Sequence, residues 1–272
     1  MSAKMEDQSH IQLNNLLYSC VDKRQRGNEQ FVHEHAFGHL IAGESHVFTG
    51  TDSKVIPEGA IGLVHRNQLL KTEKVPSKDG GEFRSVNIFL SQDLLRKYAA
   101  EHKLEPTGKY NGEYNQVLRA DPFIKGYFDS LLPYFEHPEQ MSPALADLKT
   151  KEALELLLRH DPDLKFFLFD FSEPYKIDLE AYMNKHYMFN VPIEQFAWLT
   201  GRSLASFKRD FQKTFSTSPG QWLQQKRLEE AYFQISKKGR KPSEVYLDVG
   251  FENLSHFSYS FKKAYGVAPS MI

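Results

Sequence analysis

The chain has 272 residues, more than one typical domain of ~100–150 residues, so two domains are expected. Its single cysteine, Cys20, excludes an intrachain disulfide, and no apolar run approaches the ~18 residues that a membrane-spanning helix needs. The formal net charge is −1, and nothing near the first residue resembles a signal peptide, so we expect a cytoplasmic protein that does not bind membranes.

Short apolar stretches separated by Gly, Pro, Asp and Ser clusters fill the first 90 residues, and this pattern predicts strands and turns. The stretches are Leu16 to Cys20, Ala36 to Ala42, Ser45 to Thr49, Ala60 to Val64 and Ser85 to Leu90. Pro57-Glu58-Gly59 predicts a turn before one of them. Together these elements predict a small β-barrel or sandwich.

Several histidines of this region raise the question of a metal site. They are His33, His35, His39, His46 and His65. A His-x-His pair can hold iron or zinc when a carboxylate and another histidine complete the site. Here Glu34 points to the opposite face of a strand and Glu44 comes late, so the carboxylate spacing does not fit. We expect no metal and no cofactor, and we interpret these side chains as polar strand residues or ligand-pocket histidines.

After Leu90 the pattern becomes helical. Ser91 is expected to cap a helix that runs to Glu101. Asp121-Pro122 opens a second helix to about Phe135, and Ser142-Pro143 opens a longer third one. The residues of the third helix expected in the core are Leu145, Leu148, Ala153, Leu156 and Leu157. The apolar stretch that follows, 161–175, predicts a packed connection.

An imperfect 50-residue repeat dominates the rest of the chain. Leu204, Phe207, Phe211, Phe215 and Pro219 are matched by Leu254, Phe257, Phe261, Tyr265 and Pro269. The first four positions of each copy share one face of an α-helix. Each copy therefore predicts a helix with a buried apolar stripe that ends in a turn before proline.

A shorter helical run precedes each copy. Ile193 to Leu199 leads through a tight Thr200-Gly201-Arg202 break to Ser203, a good N-cap. Ser243 to Val249 does the same in the second copy, with a turn one residue longer, Gly250 at the turn and Ser255 as the expected cap. This is the helix-turn-helix layout, found twice.

A long helix is predicted between the two modules. Ser218 and Pro219 are the natural N-cap and first residue of a helix that runs to about Ser236. Such a rigid connection fixes the separation of the two modules. Major-groove faces of B-DNA recur every ~34 Å, so both recognition helices could enter the grooves of adjacent turns.

The residues expected on the outer faces form the candidate DNA-binding set. They are Ser203, Ala205, Lys208, Arg209, Gln212, Ser255, His256, Tyr259, Lys262 and Lys263. Lys208 and Arg209 are the candidates for base edges, since both residue types bond guanine in the major groove. A surface ion pair of Arg209 with Asp210 or Glu194 is the alternative. For His256 and Tyr259, capping or packing competes with DNA contact. The remaining cations are interpreted as phosphate partners or as solvent-exposed side chains: Lys262, Lys263, Lys213, Arg202, Lys237 and Lys238.

Charge is divided between the two halves of the chain. From Pro174 onward there are 14 Lys and Arg against 9 Asp and Glu, a net charge of +5, which leaves −6 for the preceding residues. A basic half next to an acidic half is expected when one domain meets phosphate and the other does not. A merely solvated surface would show the same asymmetry.

The second half of the chain carries motifs of a known family. They are residues 196–203 (FAWLTGRS), 207–211 (FKRDF), Ser218-Pro219, 248–253 (DVGFEN), Phe257 through Lys263, and Pro269-Ser270. With these motifs the block from Ile177 to Ser270 resembles the DNA-binding domain of the AraC/XylS family of bacterial transcription regulators. Two positions depart from the family pattern: Tyr246 replaces a small alanine, and Tyr259 replaces a basic residue that faces DNA. The second module is therefore expected to read bases more weakly.

The resemblance implies a regulator, usually an activator, that binds double-stranded promoter DNA and contacts RNA polymerase. The first half resembles, less closely, the jelly-roll (cupin-like) sensor domain of this family. Such sensor domains commonly dimerise through a helix at the position of the third helix, which implies a homodimer. The implied signal is a small-molecule effector or a regulatory protein, as in AraC-type activators of type III secretion, whose sensor half this one resembles.

These predictions define an α+β protein. A cupin-like barrel with following helices occupies 1–160, a linker 161–175, and an all-α domain of two helix-turn-helix modules joined by a long helix 176–272. We expect a transcription regulator and not an enzyme. The rival hypothesis, a metal-dependent cupin enzyme fused to a DNA-binding tail, needs a ligand set that the sequence does not supply. A third hypothesis makes the first domain only an oligomerisation module.

Overall fold

A computed structural model describes residues 10–27, 30–50, 52–105, 108 and 110–272, in two compact units. The first unit contains the strands and the helices up to Ser172, and the second consists of Glu173 to Ile272 with the short segment 49–52. The predicted division into a β-rich N-terminal part and a helical C-terminal part is confirmed.

The first unit is built on antiparallel strands. In the described residues these are β1 (His10–Leu13), β2 (Leu16–Val21), β3 (Gln25–Arg26), β4 (Phe31–Val32), β5 (His35–Ala42), β6 (Glu44–Phe48), β7 (Ser53–Ile56), β8 (Ile61–Val64), β9 (Gln68–Leu69), β10 (Lys71–Val75), β11 (Phe83–Leu90) and β12 (Asn115–Val117). All five predicted strands are present. The shorter strands escaped prediction because they carry little apolar alternation: β7, for example, exposes three of its four residues.

Two sheets account for most of these strands. The larger has the order β1-β2-β11-β5-β8-β12, and the smaller has the order β3-β10-β6-β7. Because side chains alternate along a strand, the larger sheet has two different faces. On one face Leu40 and Phe83 pack with Ile56 of the smaller sheet. On the other face Phe37 packs on a helix, with its ring 4.8 Å from that of Phe128.

The helices of the first unit cover that second face. They are α1 (Gln92–Glu101), α2 (Pro122–Glu136), α3 (Pro143–His160) and α4 (Leu164–Leu168). Ser91, Asp121 and Ser142 cap the first three as predicted. The apolar stretch that begins at 161 is packed, also as predicted, because α4 buries Leu164 and Phe167 in the core of the first unit.

One part of the predicted core on α3 is wrong. Leu148 is 64% exposed. The buried residues of α3 are Ala146, Thr150, Ala153, Leu154 and Leu157. Apart from the adjacent pair Ala153 and Leu154, they are spaced three or four residues apart and form a stripe of small and large side chains. Leu148 lies on the opposite side of the helix. The prediction included Ala153 but overlooked Ala146 and Thr150.

The second unit consists of helices. They are α5 (Leu179–His186), α6 (Ile193–Leu199), α7 (Leu204–Phe215), α8 (Pro219–Lys238), α9 (Pro242–Asp248) and α10 (Leu254–Tyr265). Helices α6 and α7, together with the segment that joins α5 to α6, form module one, and α9 and α10 form module two. Four residues separate α6 from α7 and five separate α9 from α10, which confirms the longer second turn.

Module two begins its second helix differently from the prediction. The N-cap of α10 is Asn253, whose Oδ1 accepts the backbone N–H groups of Ser255 and His256 at 2.8 and 3.1 Å. Ser255 is therefore a residue of the first turn and not the cap. Leu254, expected in the buried stripe, is 39% exposed because it is the first helical residue.

Candidate nucleic-acid interface

The first candidate recognition helix, α7, separates its polar and apolar residues cleanly. Phe207 and Phe211 are fully buried. The predicted DNA-binding residues on α7 and at its cap are all accessible: Ser203, Ala205, Lys208, Arg209 and Gln212. Ala205, Lys208, Arg209 and Gln212 share one accessible face of the helix, and Ser203 is exposed at its N-cap.

A tight turn sets the direction of α7. Ser203 caps the helix by accepting the backbone N–H of Ser206 at 3.3 Å. Gly201 has φ +65°, and a Cβ atom there would lie 2.2 Å from the carbonyl carbon of Tyr175. Glycine is needed at this position both for the backbone angle and for the close approach. The turn is therefore packed directly against the segment that precedes α5.

Arg202 has a structural role, which corrects its prediction as a phosphate partner. Its side chain is only 7% exposed and lies 3.2 Å from Asp210. It also donates to the carbonyl oxygens of Ile177 and Thr200, at 2.9 and 2.7 Å. Hydrogen bonds from Arg202 and Lys176 lower the pKa of the Asp210 carboxyl. These contacts fix the start of α7 to the segment before α5.

Lys208 and Arg209 differ in their freedom to meet DNA. Arg209 is 66% exposed, and its Nε lies 3.7 Å from Asp210, so the predicted alternative of a surface ion pair is present in a weak form. Lys208 makes no ion pair with the described residues. Together with Gln212 it lines a shallow cleft of about 380 Å³ that ends at the first turn of α8. Of the two cations, Lys208 is the more available.

The second candidate recognition helix, α10, repeats the arrangement. Phe257 and Phe261 are fully buried, in the positions of Phe207 and Phe211. The predicted residues of module two are again exposed: Ser255, His256, Tyr259, Lys262 and Lys263. Tyr259 is 69% exposed and thus projects from this outer face. His256 also packs, with its ring 5.6 Å from that of Phe251.

Helix α8 supports both modules. Near its start Trp222 packs on Phe211 and Phe215 of module one, at ring distances of 5.7 and 4.6 Å. Further along, Leu228 and Ile235 belong to the core of module two. The helix is two residues longer than predicted, and its 20 residues span roughly 30 Å.

Histidines of the first unit are used in packing. His35 is fully buried, and its Nδ1 accepts the backbone N–H of Arg66 at 3.3 Å. His65 donates from Nδ1 to the carbonyl oxygen of Arg66 at 2.6 Å, and its ring lies 4.6 Å from that of His35. Burial lowers the pKa of both imidazoles. Within the described ranges no group of three or more His, Cys, Asp or Glu side chains is arranged to hold a metal ion.

Two family models match the chain. A helix-turn-helix domain model matches residues 196–272, and a model described as the ExsA N-terminal regulatory domain matches residues 35–169. The regulatory-domain match and the helix-turn-helix match follow one another in the chain, as do the two units of the structure. The chain belongs to the AraC/XylS family of transcription regulators. The family relationship predicted from the sequence motifs is thereby confirmed.

Named relatives agree with this assignment. The HTH-type transcriptional regulator ExsA of Pseudomonas aeruginosa is 28% identical over 57% of this chain and 55% of its own length. The virulence regulon transcriptional activator VirF of Yersinia enterocolitica is 25% identical over 57% of each chain. The matched region thus spans about half the length of these relatives. Among solved structures, apo ToxT K231A from Vibrio cholerae is similar over 95% of this chain and 96% of its own, with 12% identity and a TM-score of 0.44.

Two structural features of this AraC/XylS regulator near the turn of module one were not predicted from the sequence. Helix α5 was not predicted, although Asp178 caps it and Leu179 and Met183 are spaced for one buried face. The partnership of Arg202 with Asp210 was also missed, because the two residues lie on different elements.

In the described part of the chain, no helix combines the length and apolar character needed to span a bilayer.

Proposed function

We propose that this protein is a sequence-specific DNA-binding activator of transcription that reads two adjacent major grooves. The observation that carries the proposal is the pair of exposed polar faces on α7 and α10, each opposite two buried phenylalanines. The connecting helix α8, about 30 Å long, packs on module one near its start and on module two along its second half, so one continuous helix supports both recognition helices. We infer that these helices enter major-groove faces one DNA turn, ~34 Å, apart.

Individual roles follow from side-chain chemistry. Lys208 and Arg209 are placed to contact guanine, and Gln212 is suited to adenine. At the start of α7, Ser203 would lie closest to the DNA phosphate backbone, and Ala205 closest to thymine methyl groups. In module two, Lys262 and Lys263 would contact DNA phosphates. Ser255, His256 and Tyr259 would face the groove and contact the DNA backbone or the bases. Module one therefore carries most of the specificity.

Long-range electrostatics support the same division of labour. The residues from Pro174 onward have a net charge of +5, and the preceding residues have a net charge of −6. A basic DNA-binding unit concentrates near polyanionic DNA and releases counterions on binding. Affinity of the full chain for DNA should accordingly fall steeply with added salt.

The N-terminal domain is the place where a signal would act. We take 1–160 as a cupin-like sensor and dimerisation domain, 161–175 as a packed linker whose helix α4 joins the core of the first unit, and 176–272 as the DNA-binding domain. The match to a family model that is named as a regulatory domain supports this assignment. The signal would be a small molecule in the β-domain or a protein partner, and the homodimer would use the helices of this domain.

The rival hypothesis of a metal-dependent cupin enzyme has less support. The named relatives given above are transcription regulators, and the histidines His35 and His65 are held by the backbone of Arg66. The described residues offer no three-donor metal site.

Transcription in vitro tests the proposed function. Genomic fragments that the purified protein retains would be used as templates for RNA polymerase, with and without the protein. We expect more transcript from the retained promoters when the protein is present. A decrease would identify a repressor, and no retention of any fragment would contradict DNA binding by the purified protein.

A further inference from the structure

Arg227 occupies the point of α8 where the two modules meet. One turn or so before it, Trp222 packs on module one, and directly after it, Leu228 and Ala231 enter the core of module two. An arginine at this junction can reach both modules at once. The side chain is largely removed from solvent, and burial lowers its pKa to about 10, so it stays charged at neutral pH.

The Arg227 guanidinium bonds both modules through backbone carbonyl groups. Its Nε donates to Tyr187 at 2.8 Å and its Nη2 to Phe189 at 2.7 Å, in the segment that joins α5 to α6. Its Nη1 donates to Gly250, in the turn of module two, at 3.1 Å, and lies 3.5 Å from Oδ1 of Asn190. A planar guanidinium with donors in fixed directions sets the relative position of the groups that it binds.

Two further contacts strengthen the same junction. Asn190 donates from Nδ2 to Oε1 of Glu252 at 2.5 Å, which links the α5–α6 segment to the turn of module two directly. Gly250 has φ +99°, and a Cβ atom there would lie 2.7 Å from the carbonyl oxygen of Met188. The backbones of the two modules therefore approach each other closely beside Arg227. We call the set of Arg227, Asn190, Gly250 and Glu252 the inter-module clamp.

We propose that Arg227 is a positioning residue that fixes the orientation of α7 relative to α10 and thereby sets the base-pair spacing between the two half-sites. Helix α8 holds each module by that module's own apolar contacts, whereas the clamp ties one module to the other. One base pair rotates a half-site by about 34° around the DNA axis, so a small change in module orientation alters the preferred spacing. The DNA part of this proposal rests on the proposed function.

A distance measurement tests the clamp without DNA. In a Cys20→Ser background, spin labels at Thr214→Cys and Ala264→Cys report the separation of α7 and α10 in the full chain; both positions are exposed and outside the predicted DNA-binding set. We expect Arg227→Met to broaden the distance distribution at least twofold. The matched control is Lys226→Met, which removes a cation from the adjacent residue but only loses a surface pair with Glu229.

Two milder variants keep the test decisive if Arg227→Met does not fold. Arg227→Lys retains the charge without the planar fork, and Asn190→Ala removes the direct link to Glu252. Both should broaden the distribution by less than Arg227→Met and more than Lys226→Met. A distribution as narrow in Arg227→Lys and Asn190→Ala as in the wild type would overturn the proposal.

The spacing of half-sites provides the second readout. Duplexes with two half-sites are compared with the spacer changed by two and by five base pairs, together with a duplex that carries one half-site. For the wild type we expect at least a tenfold loss of affinity with the altered spacers. For Arg227→Met we expect a weaker optimum, less than a threefold dependence on the spacer, and half-site affinity within twofold of the wild type.

Different failures are distinguishable. Equal spacer dependence in Arg227→Met, Lys226→Met and the wild type would contradict the role of Arg227. Absence of DNA binding by the wild type would contradict the proposed function, and the label distances would then still decide whether Arg227 holds the modules together.

Discussion

Replacement of Gly201 by alanine tests how firmly the turn of module one is held. A Cβ atom at this position would lie 2.2 Å from the carbonyl carbon of Tyr175 and 2.5 Å from the amide nitrogen of Lys176, whereas ordinary contact begins at 3.4 Å. The segment must therefore retreat by about 1 Å. Arg202 opposes that movement through its hydrogen bond to the carbonyl oxygen of Ile177.

The expected loss of stability has two parts. A left-handed backbone costs a non-glycine residue about 1–2 kcal/mol, and forced overpacking costs about 1–3 kcal/mol more. Gly239 is a matched control, because its φ is +63° and a Cβ atom there would meet no described atom within 4 Å. Gly239→Ala should therefore lose only the backbone part, and Gly201→Ala should be less stable by a further ~1–3 kcal/mol.

Urea unfolding followed by tryptophan fluorescence measures this difference. The two tryptophans, Trp198 and Trp222, both lie in the second unit, so the signal reports the unfolding of that unit within the full chain. The change in midpoint converts to free energy through the common slope. Equal losses for the two alanine variants would show that the segment at Tyr175 is not fixed against the turn, and would refute the reasoning.

Two other variants probe the DNA face and the pH dependence. Lys208→Ala should weaken binding by about 1–3 kcal/mol on the preferred DNA site and by less on single-base variants of that site. Lys263→Ala should weaken binding to all sites alike and lower the slope of affinity against salt concentration by about one. Fluorescence anisotropy with salt titration measures both effects, and equal losses on matched and scrambled DNA for Lys208→Ala would contradict its role in specifying a base. Burial lowers the pKa of His186 to about 4, with its ring stacked 4.1 Å from that of Tyr182. The folded-state pKa lies below the unfolded value of ~6.5, so protonation of His186 favours the unfolded state. The free energy of unfolding should therefore decrease as the pH falls from ~6.5 to ~4, by up to about 3 kcal/mol. His186→Gln should remove that part of the pH dependence in urea titrations, and an unchanged profile would show that the imidazole is not held neutral.

Sequence periodicity was sufficient for the candidate recognition helices. The repeat of phenylalanines at Phe207 and Phe211, and again at Phe257 and Phe261, marks a buried stripe, and burial of that stripe leaves the polar residues exposed. Such a local pattern can be read without the fold because it depends only on the 3.6-residue period of a helix. The predicted DNA contacts themselves stay predictions.

Features that depend on distant partners could not be read in this way. Arg202 looked like a phosphate partner because nothing in its neighbourhood indicates that Ile177 and Asp210 enclose it. Arg227 likewise stands in a polar stretch of α8, and its partners at Tyr187 and Gly250 are revealed only when the modules are packed. Long-range hydrogen bonds to backbone carbonyls leave no periodic signal in a sequence.

Alternative caps and small core residues account for the local errors. Ser255 and Asn253 are both good N-cap residues, and the choice between them depends on where the preceding turn ends. On α3, small Ala146 and polar Thr150 are buried where a larger Leu148 was expected. Thr150 is accommodated because its hydroxyl donates to the carbonyl oxygen of Ala146 at 2.7 Å.

Selection from a random DNA pool tests the central claim most directly. The full-length protein would be incubated with the pool at ~150 mM salt, and the bound fragments would be amplified and sequenced. Reading of two adjacent major grooves predicts a bipartite motif whose halves are about 10.5 base pairs apart, with the more sharply defined half bound by module one. A single short motif, or bound fragments without any common sequence, would contradict the account.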